Sequence, residues 1–379
     1  MDLKQLRKII DATDEKLVKA YLERIETVKS VGEYKLKHGI NLEHADREKE
    51  VIEKVTSCIT DADAKTAVAL LYKHIIWQSK LLQSRQGRDK KTCPLDDVAI
   101  TSANKTEGLS IACQGVSGAY SEIAARKIFR NPSITFSDRF KEVFEKVKSG
   151  QAEFGVLPIE NSTAGSVNEV YDLLTEYGLY VCYSEKLSLH HLLLGTKDAS
   201  PDDVKTVYSH PQALYQCHKY LDAKGYEQVK TLNTAMAAEF VMQRNDKSLA
   251  AIGSERCAQL YSLKVLDDDI QQVKNNYTRF IVVSDKKQSF SAVNRLSLIV
   301  SLEHTEGSLS KLLSLLAAYD VNIEKLESRP IPERPFEFMF YFDLEVRPEN
   351  DMHGLFNDIG LYLKDMIFLG AYHENNING

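Results

Sequence analysis

The chain has 379 residues, 43% of them apolar, with a formal net charge of -6, enough for two to three domains that each bury a core. The acidic balance, with no Lys/Arg block, argues against a nucleic-acid-binding body, which needs a basic face for the phosphate backbone. No stretch approaches the ~18 apolar residues of a membrane span, so the cytoplasm is the expected location. The six cysteines are scattered without a C-x-x-C pair, which points to neither a disulfide framework nor a zinc cluster.

Residues 1 to 86 carry helical periodicity throughout. Leu3, Leu6, Ile10, Leu17, Ala20, Val28 and Val31 form one stripe at spacings of three and four, predicting a first helix of some thirty residues. Two further helices are predicted near Leu42 to Ile59 and Ala62 to Gln86. A first helix of that length is more usual where helices pair in a bundle or between subunits. From Gly87 to Gly108 the pattern is lost in a polar stretch with a proline and two glycines, the mark of a linker.

Beyond the linker, short apolar runs alternate with amphipathic helices: "LSIAC" then "GAYSEIAARKIF", "EFGVLPI" then "GSVNEVYDLL", "VKTVYS" then "PQALYQCHKYL", "LAAIG" then "SERCAQLYSL". That alternation predicts an α/β domain with largely parallel pairing, running to about Ser284. A second hinge, "DKKQSFSAVN", precedes a final segment whose apolar residues alternate at Leu296 to Leu302 and at Phe336 to Val346. With the helices and strands around them the predicted order is βαββαβ.

The charges of the first segment are informative. Arg24 and Lys35 continue the apolar stripe of the first helix, eleven residues or about 16 Å apart, and the third-helix stripe Val68, Leu71, Ile75 continues to Ser79 and Gln83. Arg47 and Glu48 flank the second-helix stripe. Singly, such a cation snorkels past the helix edge to a surface acid. Several brought inward together call for an anion, because a buried unpaired cation costs several kcal/mol. A site of cations, a hydroxyl, an amide and one carboxylate, with no nucleophile or base pair, suits a reaction that needs positioning and charge stabilisation alone.

"LRKIIDATDEKLVKAYLER", "VGEYKLK", "DREKEVIEKV" and "IIWQSKLLQ" together resemble the all-helical chorismate mutase domain of bifunctional chorismate mutase/prephenate dehydratase enzymes. The resemblance implies that Arg24 and Arg47 hold carboxylates of chorismate, that Lys35 and Gln83 hydrogen-bond the ether oxygen, that Glu48 takes the ring hydroxyl and that Ser79 assists a carboxylate. Arg7 matches an arginine lent across a dimer of interlocked helices. His44 stands where enteric members of the family carry a substrate-contacting aspartate. Either Glu48 suffices without it, or neutral His44 accepts the same hydrogen bond.

In the middle segment, strand ends run into capping residues: Gly115, Gly118 and Ser121; Asn161, Ser162, Thr163 and Gly165; Asn233 and Thr234; Ser254. Each reads alone as plain capping. Four such turns in one domain make a cleft for a carboxylate-bearing ligand, since helix amino ends at strand carboxyl ends attract anions. Neither G-x-G-x-x-G nor G-x-x-x-x-G-K-[ST] occurs, so no nucleotide cofactor is indicated, and the isolated His190, His191 and His210 predict no metal.

"VLPIENSTAGSVNEVYDLL", "VYSHPQAL" and "NNYTRFIVVS" resemble the signature segments of prephenate dehydratase across roughly residues 109 to 285. Thr278 then corresponds to the family's essential threonine, assisting loss of the ring hydroxyl of prephenate. Asn161, Ser162 and Thr234 are candidates for holding its carboxylates. Arg279 either orients the strand end or binds a carboxylate, and Glu160 is either a strand-end acid or an electrostatic participant. The last segment, with "EGSLSKLL" and "KLESRPI", resembles an ACT domain, which implies an L-phenylalanine site at Gly307 and Leu309 together with Glu327, Ser328, Arg329 and Pro330, at a dimer interface. Serines 308 and 310 depart from the usual alanine and valine.

The expected organisation is therefore multidomain: an all-α chorismate mutase bundle over 1–90, a linker over 91–108, a two-lobed α/β prephenate dehydratase domain over 109–285 and an α+β ACT domain over 295–374. The expected partners are chorismate, prephenate, L-phenylalanine and at least one further copy of the chain. A two-lobed solute sensor has no use for the helical bundle or for "NYTRF", and a mutase fused to a dehydrogenase would carry a dinucleotide fingerprint.

Overall fold

A computed structural model describes residues 2–41, 45–85, 92–331, 334 and 337–375. The chain divides into two compact units, one comprising residues 1–93, 305–319 and 351–363, the other residues 94–304, 320–350 and 364–379. The predicted C-terminal segment is thus shared between them.

The first unit is helical. Helix α1 spans Leu3–Lys37, opened by a capping box between Asp2 and Gln5; at 1.5 Å per residue it is about 50 Å long. Helix α2 covers Ala45–Thr56, shorter than predicted, with residues 42–44 outside the described set. Helix α3 covers Ala62–Ser84 and is capped by Asp61, whose carboxylate accepts the Ala64 N–H at 2.7 Å. Both α2 and α1 pack on α3. The same unit holds the helices Ser308–Ala318 and Met352–Ile359. Arg85, at the end of α3, donates from Nε to the buried Asp358 at 2.7 Å, and Tyr319 donates to the same carboxylate at 2.7 Å. The Asp358 hydrogen bond holds the Arg85 guanidinium above its usual range. Trp77 of α3 lies against Tyr362, ring centres 5.9 Å apart.

The second unit is built on two sheets. Strands β1 (Ser110–Gln114), β2 (Ser133–Ser137), β3 (Phe154–Asn161) and β4 (Tyr180–Ser188) begin the larger one. The chain then crosses to the smaller sheet, β5 (Leu192–Gly195), β6 (Thr206–Ser209), β7 (Glu227–Lys230), β8 (Leu249–Gly253) and β9 (Lys264–Asp267). It returns as β10 (Tyr277–Ser284) between β3 and β4, antiparallel to both. The pairing is mixed where largely parallel pairing was predicted. Parallel pairs persist where helices link neighbours, as for β1 with β2. A strand that re-enters from another sheet is not bound by the right-handed crossover rule.

Three more strands, β11 (Arg295–Leu302), β12 (Asn322–Pro330) and β13 (Phe338–Glu345), precede β14 (Leu363–Asn375). With the two C-terminal helices they follow the predicted βαββαβ order. Their sheet is not separate: in the order β12-β13-β11-β14-β4-β10-β3-β1-β2 the last strand joins both groups. The end of β14 pairs in parallel with β4, His373 opposite Tyr183. The two predicted hinges are also paired, residues 99–100 with 288–289, and Phe290 between the hinge and β11 is buried against Phe129, Phe154 and Tyr183. Polar stretches that look like linkers satisfy each other's backbone groups here.

The close passage of β14 over β4 requires Gly370. Its φ is +151°, and a Cβ there would fall 2.2 Å from the Val181 carbonyl oxygen. Gly370→Ala is expected to destabilise the chain by about 3 kcal/mol, measurable as a lowered denaturation midpoint with the slope unchanged.

Candidate active sites

In the helical unit α1, α2 and α3 enclose a cavity of about 470 Å³, lined by Arg24, Val28, Val31, Lys35, Arg47, Glu48, Ser79, Lys80 and Gln83 among others. Arg24 comes from the middle of α1 and donates from Nη1 to Ser79 Oγ, while Ser79 in turn donates to the Ile75 carbonyl. The hydroxyl therefore both aims the guanidinium and closes its own helix turn. Lys80 pairs with Glu48 at 2.6 Å, both only partly exposed, so Glu48 arrives with a protein partner already in place. Arg47 sits at the rim, two-thirds exposed, and pairs with Glu50 at 2.7 Å. Gln83 is buried, and its Oε1 has no hydrogen-bond partner among the described residues. An orphaned amide oxygen costs about 1–3 kcal/mol, which a bound donor or a water would offset.

Four cations against one carboxylate give the cavity the potential of an anion site. Sequence reasoning missed Lys80, which follows Ser79 and reads as an ordinary surface lysine; its i,i+3 relation to Gln83 was the available signal. Arg7 lies on the exposed first part of α1, seventeen residues or about 25 Å from Arg24 along the helix, and does not line this cavity. His44 lies outside the described residues.

In the second unit Thr278 is the second residue of β10, in register with Asn161 at the end of β3 and Leu187 on β4. A register shift between Arg279 and Phe280 places Phe280 opposite Pro158, so the residue that lacks an N–H sits where the ladder is already broken. Thr278 and Arg279 therefore point to opposite faces. Asn161 Oδ1 accepts the backbone N–H groups of Thr163 and Ala164, each at 3.0 Å, and the Thr163 hydroxyl at 2.7 Å. That orientation turns Asn161 Nδ2 toward Thr278 Oγ1 at 2.8 Å and Asn276 Oδ1 at 3.0 Å. Thr278 thus receives a hydrogen bond, and its own proton has no acceptor among the described residues. At 6% exposure the hydroxyl is sheltered from bulk water.

Behind Asn161 lies Gln216, which was not anticipated. Its Nε2 donates to Thr163 Oγ1 at 2.6 Å, and its Oε1 accepts from Asn276 Nδ2 at 3.0 Å and faces His191 Nε2 at 2.9 Å. The only signal in the sequence was its place in the helix after "SHPQAL". Ser162, expected to bind a carboxylate, uses its hydroxyl to accept the Tyr277 N–H at 3.0 Å and so extends the strand pairing. Thr234 begins the helix Thr234–Arg244 behind the cap Asn233. The Gly115 turn lies against that cap, a Cβ there falling 3.8 Å from Asn233 Nδ2. The turn is held by Glu122, which accepts the Gly118 N–H at 2.6 Å and pairs with Arg126. Burial would raise the Glu122 carboxyl, but these partners keep it below its usual range.

Arg279 has protein carboxylates around it in place of a ligand's. It is buried and paired with Asp343 on β13, with Glu160 at 3.4 Å and with Glu374 at 3.6 Å. Desolvation is the largest single influence and opposes its charge, but Asp343, Tyr372, Tyr171 and Glu374 together hold the guanidinium well above its usual range. Asp343, whose burial would raise it, is held low by Arg279 and Ser297.

The prephenate dehydratase family matches residues 111–288, and chorismate mutase type II matches residues 6–84. The bifunctional chorismate mutase/prephenate dehydratase of Escherichia coli K12 is 33% identical over 98% of this chain and 96% of its own length. This chain belongs to the bifunctional chorismate mutase/prephenate dehydratase family. Its mutase and dehydratase domains carry the two sites just described. Among solved structures, a protein described as a novel type of quorum-quenching acylase is 28% identical, with a TM-score of 0.65, over 71% of this chain and all of its own. A prephenate dehydratase from Arthrobacter aurescens, solved in complex with L-Phe, is 24% identical with a TM-score of 0.60 over 70% of this chain and 90% of its own, and shares the α/β fold. Among the described residues no helix is long and apolar enough to cross a membrane.

Two outcomes follow for the dehydratase domain. Arg279→Ala leaves Asp343 buried without its cation, while Glu374 keeps Arg295 and Lys186 at 3.0 Å, and is expected to cost about 3–5 kcal/mol, read by denaturant unfolding. Burial, helped by His190 and His210 and opposed by the Gln216 hydrogen bond, lowers the His191 imidazole from 6.5 to about 4. Between those pH values the unfolded chain binds more protons, so stability falls as pH drops from 6.5 toward 4, by up to about 3 kcal/mol. His191→Gln is expected to flatten that part of the stability profile.

Proposed function

We propose that the helical cavity rearranges chorismate to prephenate and that the Thr278 site converts prephenate to phenylpyruvate. Chorismate carries two carboxylates and an ether bridge, and its rearrangement is a pericyclic step without a covalent intermediate. Arg24, steadied by Ser79, and Arg47 hold the carboxylates. Lys35 and the Nε2 amide group of Gln83 donate to the ether oxygen, where negative charge grows, and Glu48 takes the ring hydroxyl while Lys80 balances it. Arg7 serves the cavity of a second copy. The apolar residues exposed along α1, among them Leu3, Ile9, Ile10, Leu17 and Leu22, are the surface on which that copy packs to form a homodimer.

In the dehydratase site the bond to the ring carboxylate breaks, its electron pair enters the ring, and the ring hydroxyl leaves as carbon dioxide departs. The observation that carries this reading is the direction of the Asn161 amide, which makes Thr278 a donor. A threonine is too weak an acid to surrender its proton outright near pH 7, so it acts through a hydrogen bond that strengthens as charge builds on the departing oxygen. Asn161 and Thr234 line the approach for the carboxylates.

The C-terminal strands and helices form an ACT domain that binds L-phenylalanine through Gly307, Leu309 and Glu327–Pro330. Gly307 opens its helix at φ +77°, where a side chain would be strained. On the second motif, Glu327 accepts from Ser166 Oγ at 2.5 Å and Arg329 pairs with Asp172 at 2.6 Å. Lys325 lies 3.4 Å from Glu160 and 3.5 Å from Glu327. Feedback from the effector motif then has a short path to the residue beside Asn161.

The test is a pair of assays on the purified full chain, one of chorismate loss and one of phenylpyruvate formation from added prephenate. Thr278→Ala is expected to lower dehydratase kcat about 10²-fold or more with chorismate loss intact, and Arg24→Ala to do the reverse. L-phenylalanine is expected to suppress phenylpyruvate formation, and less so in Glu327→Ala. No conversion of prephenate by the unmodified chain would sink the dehydratase reading.

A further inference from the structure

The hydrogen bonds around Thr278 form a chain with a direction, and the direction is set at one end by backbone. Asn161 Oδ1 is pinned by the N–H groups of Thr163 and Ala164, which have no alternative role as acceptors. The Thr163 hydroxyl also donates to that oxygen, so the Gln216 amide must present Nε2 to Thr163 and Oε1 to the other side. Asn276 gives the same answer independently. Its Oδ1 accepts from Asn161 Nδ2, its Nδ2 therefore faces Gln216, and an acceptor is needed there. Gln216 Oε1 thus faces His191 Nε2, which must carry a proton.

The far end of the chain imposes nothing. Tyr120 Oη lies 3.1 Å from His191 Nδ1 and 3.2 Å from the His190 carbonyl, and a hydroxyl can turn to donate to Nδ1 or accept from it. The imidazole itself is held rigidly. It is 2% exposed, and its backbone N–H is bound by Gln271, which in turn donates to the Leu189 carbonyl.

We infer that His191 is a positioning residue of the dehydratase site, whose Nε2–H fixes the Gln216 amide and, through Thr163, Asn276 and Asn161, keeps the Thr278 hydroxyl donating outward. The inference rests on the dehydratase reading of Thr278. With the opposite tautomer Gln216 would turn over, and its NH2 group would meet that of Asn276. Righting Asn276 would then set its NH2 against the one that Asn161 directs to Thr278. One misplaced proton therefore reaches the reacting hydroxyl by two routes. Burial keeps the ring neutral near pH 7, so one tautomer serves over the working range.

Two measurements on the full chain test this. A two-bond nitrogen–proton correlation spectrum of isotope-labelled histidine is expected to show His191 as the neutral Nε2–H tautomer, and an Nδ1–H tautomer would overturn the inference whether or not any variant folds. In prephenate turnover, His191→Leu is expected to lower kcat about tenfold or more with KM within about twofold, the scale of one mis-made buried hydrogen bond. His191→Gln, whose amide N–H reaches the place of Nε2–H, is expected to recover most of that loss. Equal losses in the two variants, or a loss confined to KM, would leave His191 a packing residue and overturn the relay. Absence of turnover in the unmodified chain would instead strike the dehydratase reading itself.

Discussion

Strand Tyr277–Ser284 pairs on both edges, and the period of two along it places neighbouring residues on opposite faces. Thr278 and Arg279 are adjacent and do unrelated work because of that. Thr278 is held by Asn161 on the side where the chain returns from the smaller sheet, and Arg279 faces the strands that continue into the C-terminal segment. Phe280 and Val282 join one apolar cluster while Ile281 and Val283 join another, so the strand is anchored from both sides. A shift of one residue would exchange the Thr278 hydroxyl for a guanidinium.

Both sites use polar groups whose direction is imposed from outside the ligand. In the mutase cavity, Ser79 aims Arg24 while its own proton is engaged by the Ile75 carbonyl. In the dehydratase site the imposition begins at two backbone N–H groups and passes through side-chain amides to a histidine. Neither reaction needs a covalent intermediate, and preorganised dipoles and charges are the means left to a protein for lowering such barriers. Preorganisation costs stability unless it is supported, and the support here is burial: Gln216, Asn276 and His191 are each less than a tenth exposed.

Much of this was legible in the sequence because it depends on short-range pattern. The stripe through Leu17, Ala20, Arg24, Val28, Val31 and Lys35 put cations on a packing face, and α1, α2 and α3 enclose a cavity that those cations line. The alternation at Leu296–Leu302 and Phe336–Val346 signalled half-buried strands. Thr278 stood out as a polar residue set just before an apolar run, and Asn161 as one set just after. Lys80, Gln216 and His191 did not, since each sits in a helix or loop where its residue type has ordinary structural uses.

The sequence by itself determined the helical bundle, the strand and helix order and the residues that carry charge into the first cavity, because periodicity and side-chain chemistry are local properties. Only the tertiary structure decided that β10 is antiparallel to both neighbours, that β14 extends one sheet into another over Gly370, and that Arg279 answers Asp343 in place of a ligand. Those outcomes depend on which segments meet across separations from 64 residues, between Arg279 and Asp343, to 190, between His373 and Tyr183. Hydrogen-bond direction belongs to the same class: the donor role of Thr278 is set by groups that are its neighbours in space and are spread over the chain from Asn161 to Asn276.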